Sequence, residues 1–404
     1  MAVSNTQFDI IIAGGGLSGA MAALSLSQLT QSSGKKLSIA IIEANPILTD
    51  TKLTFDSRVL ALSHGSASYL NAIGVWPLLA DDASPIDTIH VSDSGFYGKA
   101  RITAQEHQVA ALGYVIEMSL IGKALITQLK SLANISWFCP DTIENVQWQT
   151  DYAEVLLTST ESITGKLLLG CDGAQSACRQ FANISSTTKS YEQSALIANV
   201  SMTKAHYNRA FERFTATGPI AMLPLTNRCQ ENKRCSLVWT LTPQQAQEYI
   251  ALSDDEFKVA FEQSFGSWLG GVEHVGKRDV FPLHLVQAKE QVFHRMVLIG
   301  NASHAVHPIA GQGFNLGLRD VQQLTEVIKT ALAKQQDIGQ FSLLSDYAAQ
   351  RKADHQQVIS ITDSLVTLFS NQLMPLVAGR NIGLKVMNYF KPIKNRLVNK
   401  LMGY

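Results

Sequence analysis

Three glycines near the start of the chain, and one acid beyond them, are the residues whose types and spacing speak most directly of chemistry. Gly14, Gly16 and Gly19 form G-x-G-x-x-G directly after the apolar run 8–13 and before the small-residue stretch 20–29. In this strand, turn and helix context the spacing is a dinucleotide-binding fingerprint. Gly14 permits a tight turn, Gly16 lets backbone approach a pyrophosphate without an intervening Cβ, and Gly19 lets the helix pack close to the strand. The helix start offers unpaired N–H groups and a partial positive charge to phosphates. Glu43 ends a second apolar run, 37–42. A carboxylate there would accept hydrogen bonds from both ribose hydroxyls of an adenosine and would disfavour a phosphate on that ribose. The gap exceeds the usual ~20 residues, and the polar stretch 30–36 accounts for the excess as a helix end and loop.

Two further clusters stand out. Asp172 and Gly173 follow the apolar run 162–169 and precede Ser176 and Arg179, giving D-G-x-x-S-x-x-R. An aspartate there can also cap a short helix. After the run 296–299 comes a stretch holding Asn301, His304, His307, Pro308, Gly311, Gly313, Asn315 and Leu316. His304 and His307 lie three apart, but no carboxylate or cysteine stands near them in sequence, and Pro308 interrupts the helix that would align them. No metal set is expected from them.

The elements that must position these groups alternate between buried parallel strands and helices. Helices are predicted over 66–73, 119–132 and Asp254–Phe265, and from 317 onward. Strands are predicted over 135–138, 153–157 and 162–169, with a hairpin inside 86–102. Short strands at 196–200, 221–225 and 235–239 suggest an inserted, mostly antiparallel sheet. The fold class is therefore α/β, with a discontinuous nucleotide fold completed only near Met296.

Composition bounds the function. The chain has 404 residues, 33 basic and 33 acidic, for a formal net charge of zero. A balanced chain exerts no general pull on nucleic acid, so a nucleic-acid partner is not expected. The five cysteines, 139, 171, 178, 229 and 235, are odd in number and lack C-x-x-C spacing. That fits reduced thiols in a cytoplasmic protein, and Cys229 and Cys235 are expected in a loop and a strand. No basic region precedes the first apolar stretch, so no secretory signal is expected. The uncharged stretch 10–29 reads as a buried strand and helix. After Asp363 no acidic residue remains, while Arg380, Lys385, Lys391, Lys394, Arg396 and Lys400 interleave with apolar residues. Such a tail can lie on an anionic membrane surface or dock a partner, making peripheral inner-membrane contact through 380–404 an expectation.

These motifs, in this order and across most of the chain, resemble those of the FAD-dependent aromatic-ring hydroxylases of the p-hydroxybenzoate hydroxylase type. Arg58, in Ser57-Arg58-Val59-Leu60-Ala61-Leu62, matches the arginine that follows the ribose-binding strand in that family. Within it, residues 210–215, 218–225, 362–366 and 379–384 resemble the ubiquinone-biosynthesis hydroxylases. The resemblance implies a Rossmann-like FAD-binding domain made of 1–75, 111–185 and 286–360. It also implies a substrate hairpin at 76–110, a substrate domain at 186–285, and a helical C-terminal tail at 361–404. It implies FAD as cofactor, NAD(P)H as co-substrate, and O2 and a lipid-soluble prenylated phenol of the 2-polyprenyl-6-methoxyphenol type as substrates. Other ubiquinone-biosynthesis proteins are implied as partners. The reaction would be ring hydroxylation through a flavin C4a-hydroperoxide, carried by the flavin itself, in a dry pocket roofed by the 195–242 strands.

Residue by residue, Gly14, Gly16, Gly19, Glu43, Arg58, Asp172, Asn301, Pro308, Gly311, Gly313, Asn315 and Leu316 would meet the cofactor. Asn301 stands where most members carry an aspartate for the ribityl hydroxyls, so the charge-assisted bond is lost. Asn315 and Leu316 would open a helix aimed at the flavin N1–C2=O2 edge. The alternatives are hydroxylation at another ring position and a non-catalytic scaffold in the biosynthetic complex.

Overall fold

The apolar runs become strands buried on both faces, as parallel sheets require. In the computed structural model, which describes residues 6–47, 54, 56–226, 232–369 and 373–403, five parallel strands lie side by side. Their order is Met296–Leu298, Ser162–Gly170, Thr6–Ala13, Ile39–Ile42 and Ile135–Phe138. Alternate residues of each strand serve opposite cores. Ile10, Ile12, Ile39, Ile41, Leu167 and Leu169 pack with helices Leu17–Ser27, Met118–Lys130 and Gln312–Ala333. Ile11, Ala40, Ile42, Leu168 and Leu298 face the other layer. The single acid in the first strand, Asp9, is held by Lys166 at 2.8 Å and by the Ser38 N–H at 2.9 Å.

A second sheet of nine strands is antiparallel except where Arg209–Thr215 runs parallel to Thr88–Asp93. The hairpin in 86–102 forms from Thr88–Asp93 and Lys99–Thr103 and joins this sheet at its edge. The residues read as a short strand at 196–200 belong to a 17-residue strand, Ser186–Met202. Its exposed first half is polar, so hydropathy alone misses it. Cys235 lies in strand Arg234–Leu241, while Cys229 is outside the described residues. A third sheet joins Val59–Ser63, Gly113–Glu117 and Ser84–Ile86. Helix Asp254–Phe265 starts at a reciprocal cap between Ser253 and Glu256, which satisfies two otherwise orphaned N–H groups.

The tail forms helices Met374–Tyr389 and Lys391–Leu401. Three of its cations turn inward rather than toward a surface. Arg380 bonds Asp93 at 2.8 Å, Lys394 reaches Glu106 at 2.6 Å and Lys400 reaches Asp354 at 2.7 Å. Among the described residues no helix is long and apolar enough to cross a membrane.

Candidate active site

The carboxyl ends of the four strands that carry the motifs converge, where ligands bind in open α/β sheets. Gly14 has φ +94°, and a Cβ there would sit 2.6 Å from the carbonyl oxygen of Cys171. A Cβ on Gly19 would come within 1.9 Å of the Gly14 carbonyl oxygen, whereas one on Gly16 would meet nothing within 4 Å. Two of the glycines are therefore demanded by the fold, and Gly16 presents bare backbone to open space. Gly16 caps helix Leu17–Ser27 without any side-chain hydrogen bond, so the first-turn N–H groups lack intrahelical partners. Glu43 accepts from the Gly15 N–H at 2.8 Å and from the Asn45 N–H at 2.9 Å. The Asn45 side-chain amide also donates to Oε1 at 3.2 Å, so Oε2 is the oxygen that keeps a lone pair for a further donor.

Asp172 does two things at once. Its Oδ2 accepts from the Cys178 N–H at 2.9 Å, while its buried Oδ1 has no hydrogen-bond partner. Ser176 caps the same short helix, Ala177–Phe181, by accepting from the Arg179 N–H at 3.0 Å. The Arg179 guanidinium donates to the carbonyl of Ala302 at 2.9 Å and to that of Ala174 at 2.8 Å. The helix-capping role and a ligand-facing oxygen thus coexist.

The stretch after Met296–Leu298 closes the other side. A Cβ on Gly300 would lie 2.9 Å from Ser18 Oγ, and one on Gly317 would lie 3.1 Å from Gly300 Cα. The two glycine segments therefore touch, although about 280 residues separate them. Asn301 is exposed and its amide makes no hydrogen bond among the described residues. Pro308, also exposed, leads into the turn Ile309–Gly311, and Gly311 adopts φ +61° against Ala61. Gly313 is half-buried within the first helical turn that follows.

The structure corrects the helix start. It opens at Gln312, not at Asn315, because left-handed Gly311 ends the preceding turn and resets the chain. The N–H groups without an i−4 carbonyl inside the helix are those of Gln312, Gly313 and Phe314. The Asn315 amide is committed to the protein. It accepts from the Ser63 N–H at 2.9 Å and the Ser66 hydroxyl at 2.7 Å, and donates to the carbonyls of Ala61 at 2.9 Å and Gly311 at 2.7 Å. Leu316 is fully buried. Asn315 thereby fastens the loop to strand Val59–Ser63. Arg58 stands exposed just ahead of that strand, with no ion pair among the described residues.

His304 and His307 also depart from expectation. The fold brings a carboxylate to His304 from the next helix: Asp320 lies 3.7 Å away, and His355 Nε2 is 2.7 Å from the same carboxylate. Arg351 donates to Asp320 Oδ1 at 2.6 Å. Burial would raise the Asp320 carboxyl, but the His355 hydrogen bond and the neighbouring charges hold it at about 2. Burial keeps His304 neutral, at about 4 despite Asp320. His307 points elsewhere, edge-on to Tyr191 at 5.0 Å. Its Nδ1 accepts from the Ile309 N–H at 3.2 Å, which leaves Nε2 as the protonated nitrogen. Asp320 escaped the sequence reading because its partners arrive from Arg351 and His355, on another helix.

The FAD binding domain family matches residues 7–362. The chain belongs to that family. Ubiquinone hydroxylase UbiL of Rhodospirillum rubrum is 33% identical over 398 residues, covering 98% of this chain and 89% of its own. The mitochondrial ubiquinone biosynthesis monooxygenase COQ6 of Homo sapiens is 29% identical over 446 residues, covering 98% and 93%. Among solved structures, p-nitrophenol 4-monooxygenase PnpA of Pseudomonas putida superposes with a TM-score of 0.77 at 17% identity, covering 98% of this chain and 99% of that one. Klebsiella pneumoniae HpxO, complexed with FAD and uric acid, gives 0.73 at 15%, covering 99% and 97%. These structures share the fold.

As an FAD binding domain protein, the chain has features that fit the cofactor. The bare Gly16 and Gly173 backbones, the second of which would also leave a Cβ in open space, give a flat ligand room. The orphaned Asp172 Oδ1 calls for a hydroxyl or amide donor.

Proposed function

We propose that this protein is an FAD-dependent monooxygenase that uses NAD(P)H and O2 to hydroxylate the ring of a prenylated phenol, 2-polyprenyl-6-methoxyphenol, in ubiquinone biosynthesis. The observation that carries this reading is the meeting of the two glycine segments at Ser18, Gly300 and Gly317, beside a sheet with an apolar inner face. The names of the full-length relatives support the pathway. When bound, FAD supplies the two-electron and oxygen-activating chemistry.

The chain supplies position and shelter. Glu43 would accept the adenosine ribose hydroxyls, and the start of helix Leu17–Ser27 would hold the pyrophosphate. Asp172 and Asn301 would engage the ribityl chain and flavin, and Arg58 would meet phosphate or flavin from outside. Pro308, Gly311 and Gly313 would lay main chain along the ring, with the N–H groups of Gln312, Gly313 and Phe314 giving positive potential to its pyrimidine edge. Segments 1–75, 111–185 and 286–360 would form this unit. Segments 76–110 and 186–285 would roof it and exclude water, with 361–404 packed alongside.

The protein would be cytoplasmic, meeting its lipid-soluble substrate at the inner-membrane surface or within a complex of pathway proteins. The test is direct: purified protein is reconstituted with FAD and given NAD(P)H, isotopically labelled O2 and a short-chain 2-prenyl-6-methoxyphenol. One labelled oxygen on the ring is the expected product. NAD(P)H oxidation without labelled phenol, or failure to take up FAD, would remove the proposal.

A further inference from the structure

We propose that Glu212 is the residue that holds the substrate's phenol hydroxyl and accepts its proton, an inference that rests on the phenol-hydroxylase reading above. Glu212 is central in strand Arg209–Thr215, where side chains alternate between faces. Phe211 packs in the core beneath the sheet with Met222, Leu237 and the aromatic face of helix Asp254–Phe265. Ala210 and Phe214, the neighbours that share Glu212's face, pack with Val115 and with Ile309. Val115 and Ile309 come from the nucleotide side, and Ile309 lies in the turn between Pro308 and Gly311. Glu212 therefore points into the space between the sheet and the loop assigned to the flavin ring.

That space is open and apolar. On the inner face Val91, Ile197, Ala221, Leu223 and Val238 are only part-covered, while Leu196, Phe211, Met222, Leu237 and Trp239 on the opposite face are buried. The Glu212 carboxylate makes no hydrogen bond or ion pair among the described residues. Several other charged groups on or against this face are engaged. Asp93 is held by Arg380, and Arg234 by Glu117 at 2.8 Å. Asp279 pairs with Lys277 at 2.9 Å, and Asp363 takes Lys189 at 3.0 Å together with the Tyr191 hydroxyl. The His307 Nδ1 is occupied by the Ile309 N–H. One unpaired carboxyl in an apolar recess is a costly arrangement, and a hydroxyl-bearing ligand relieves it. Burial without a countercharge raises this carboxyl to about 7, where a general base works well at neutral pH.

In the proposed step the phenol O–H bond breaks and its electron pair stays on the phenol oxygen. The proton passes to a Glu212 carboxylate oxygen. When the oxygenated ring regains its aromaticity, its C–H bond breaks and the ring keeps that electron pair. The phenol oxygen takes its proton back from Glu212, and the C–H proton goes to the second oxygen atom of O2, which leaves as water. The negative oxygen enriches the ring carbons ortho and para to it.

The experiment compares wild type, Glu212→Gln and Glu212→Asp, each loaded with FAD, on short-chain 2-prenyl-6-methoxyphenol from pH 5.5 to 9. For Glu212→Gln the expected result is an approximately 100-fold loss in kcat/KM for hydroxylation. The rise in kcat/KM through about pH 7, present in wild type, would be absent, while FAD content stays unchanged. Glu212→Asp should keep a pH-dependent rise at reduced rate, which a purely structural role would not produce. Active wild type with unaltered rate and pH profile in Glu212→Gln would overturn the assignment alone. Wild type that binds FAD yet hydroxylates no phenol would overturn the function reading and this inference together.

Discussion

The guanidinium of Arg179 donates to the carbonyl oxygen of Ala302 at 2.9 Å, bridging 123 residues of chain. This bond clamps the Asp172 element to the turn carrying Asn301. Arg179→Met keeps the stem but leaves the carbonyls of Ala302 and Ala174 without that donor. The expected cost is about 1–3 kcal/mol of stability, with FAD affinity reduced roughly tenfold as the two halves of the site loosen. Thermal melts with and without FAD, together with a fluorescence titration, check both numbers.

Gly16 and Gly19 make opposite predictions although they share a motif. Gly19→Ala places a methyl group 1.9 Å from a backbone oxygen, an overlap that no rotamer change relieves, so soluble folded protein should be lost. Gly16→Ala meets open space and should fold with Tm near wild type. Its FAD affinity should nonetheless fall more than tenfold, because the methyl group occupies the approach path of the pyrophosphate. Circular dichroism and an FAD titration on both variants separate the outcomes.

Asn301→Asp should tighten FAD binding about fivefold, because a charge-assisted hydrogen bond is roughly twice as strong as a neutral one. The side chain is exposed, so the Tm without FAD should stay within about 1 °C of wild type. Unchanged affinity would mean that Asn301 does not reach the ribityl chain.

Asp320 joins helix Gln312–Ala333 to helix Phe341–Phe369 through Arg351 and His355. Asp320→Asn removes one of the two buried carboxylates on Arg351, leaving Asp354 at 2.8 Å, and takes the charged partner from His355; it should cost about 3 kcal/mol. The same cluster contributes to acid sensitivity, alongside His90 and His307, which burial also depresses. His304 binds its proton more readily unfolded than folded, so stability falls as pH drops from about 6.5 to about 4. The depressed Asp320 adds a second loss as pH falls from its ordinary value toward about 2. His304→Gln should flatten the upper part of that acid limb in a melt series.

Helix Met374–Tyr389 exposes Ile382, Val386 and Tyr389, at 61%, 42% and 87%, close to the exposed hairpin residue Tyr97, whose ring Lys385 covers at 4.5 Å. The double variant Tyr389→Ser, Phe390→Ser should reduce co-sedimentation with anionic liposomes several-fold while preserving Tm. Deleting 380–404 is a poorer test, since it also removes the cations that Arg380, Lys394 and Lys400 bring to Asp93, Glu106 and Asp354. Equal liposome binding by the variant would remove the membrane role of this face.

Much of the site was readable from the chain because local rules fix it. The strand, glycine turn and helix at 6–27, and the acid at Glu43, follow from periodicity and from steric demands that only glycine meets. Helix Asp254–Phe265 was legible in the sequence, and the reciprocal Ser253–Glu256 cap in the structure fixes its start. Strand Ser186–Met202 was read too short, since its polar half is held by cross-strand pairing with Asp279–Ala288 rather than by hydropathy. Asn315 looked like a helix opener, yet its amide knits the loop to strand Val59–Ser63, a partner about 250 residues away.

The sequence by itself determined the nucleotide-binding chemistry, because backbone conformation at Gly14, Gly16 and Gly19 and the position of Glu43 depend on neighbours a few residues apart. Only the tertiary structure decided which groups stand alone. Arg380, Lys394 and Lys400 found carboxylates on distant elements, Asp320 gathered a cation and a histidine, and the Glu212 side chain was left without a partner among the described residues. Pairing of charges is a long-range property, set by which helix and which sheet face arrive opposite one another, and no local spacing encodes it.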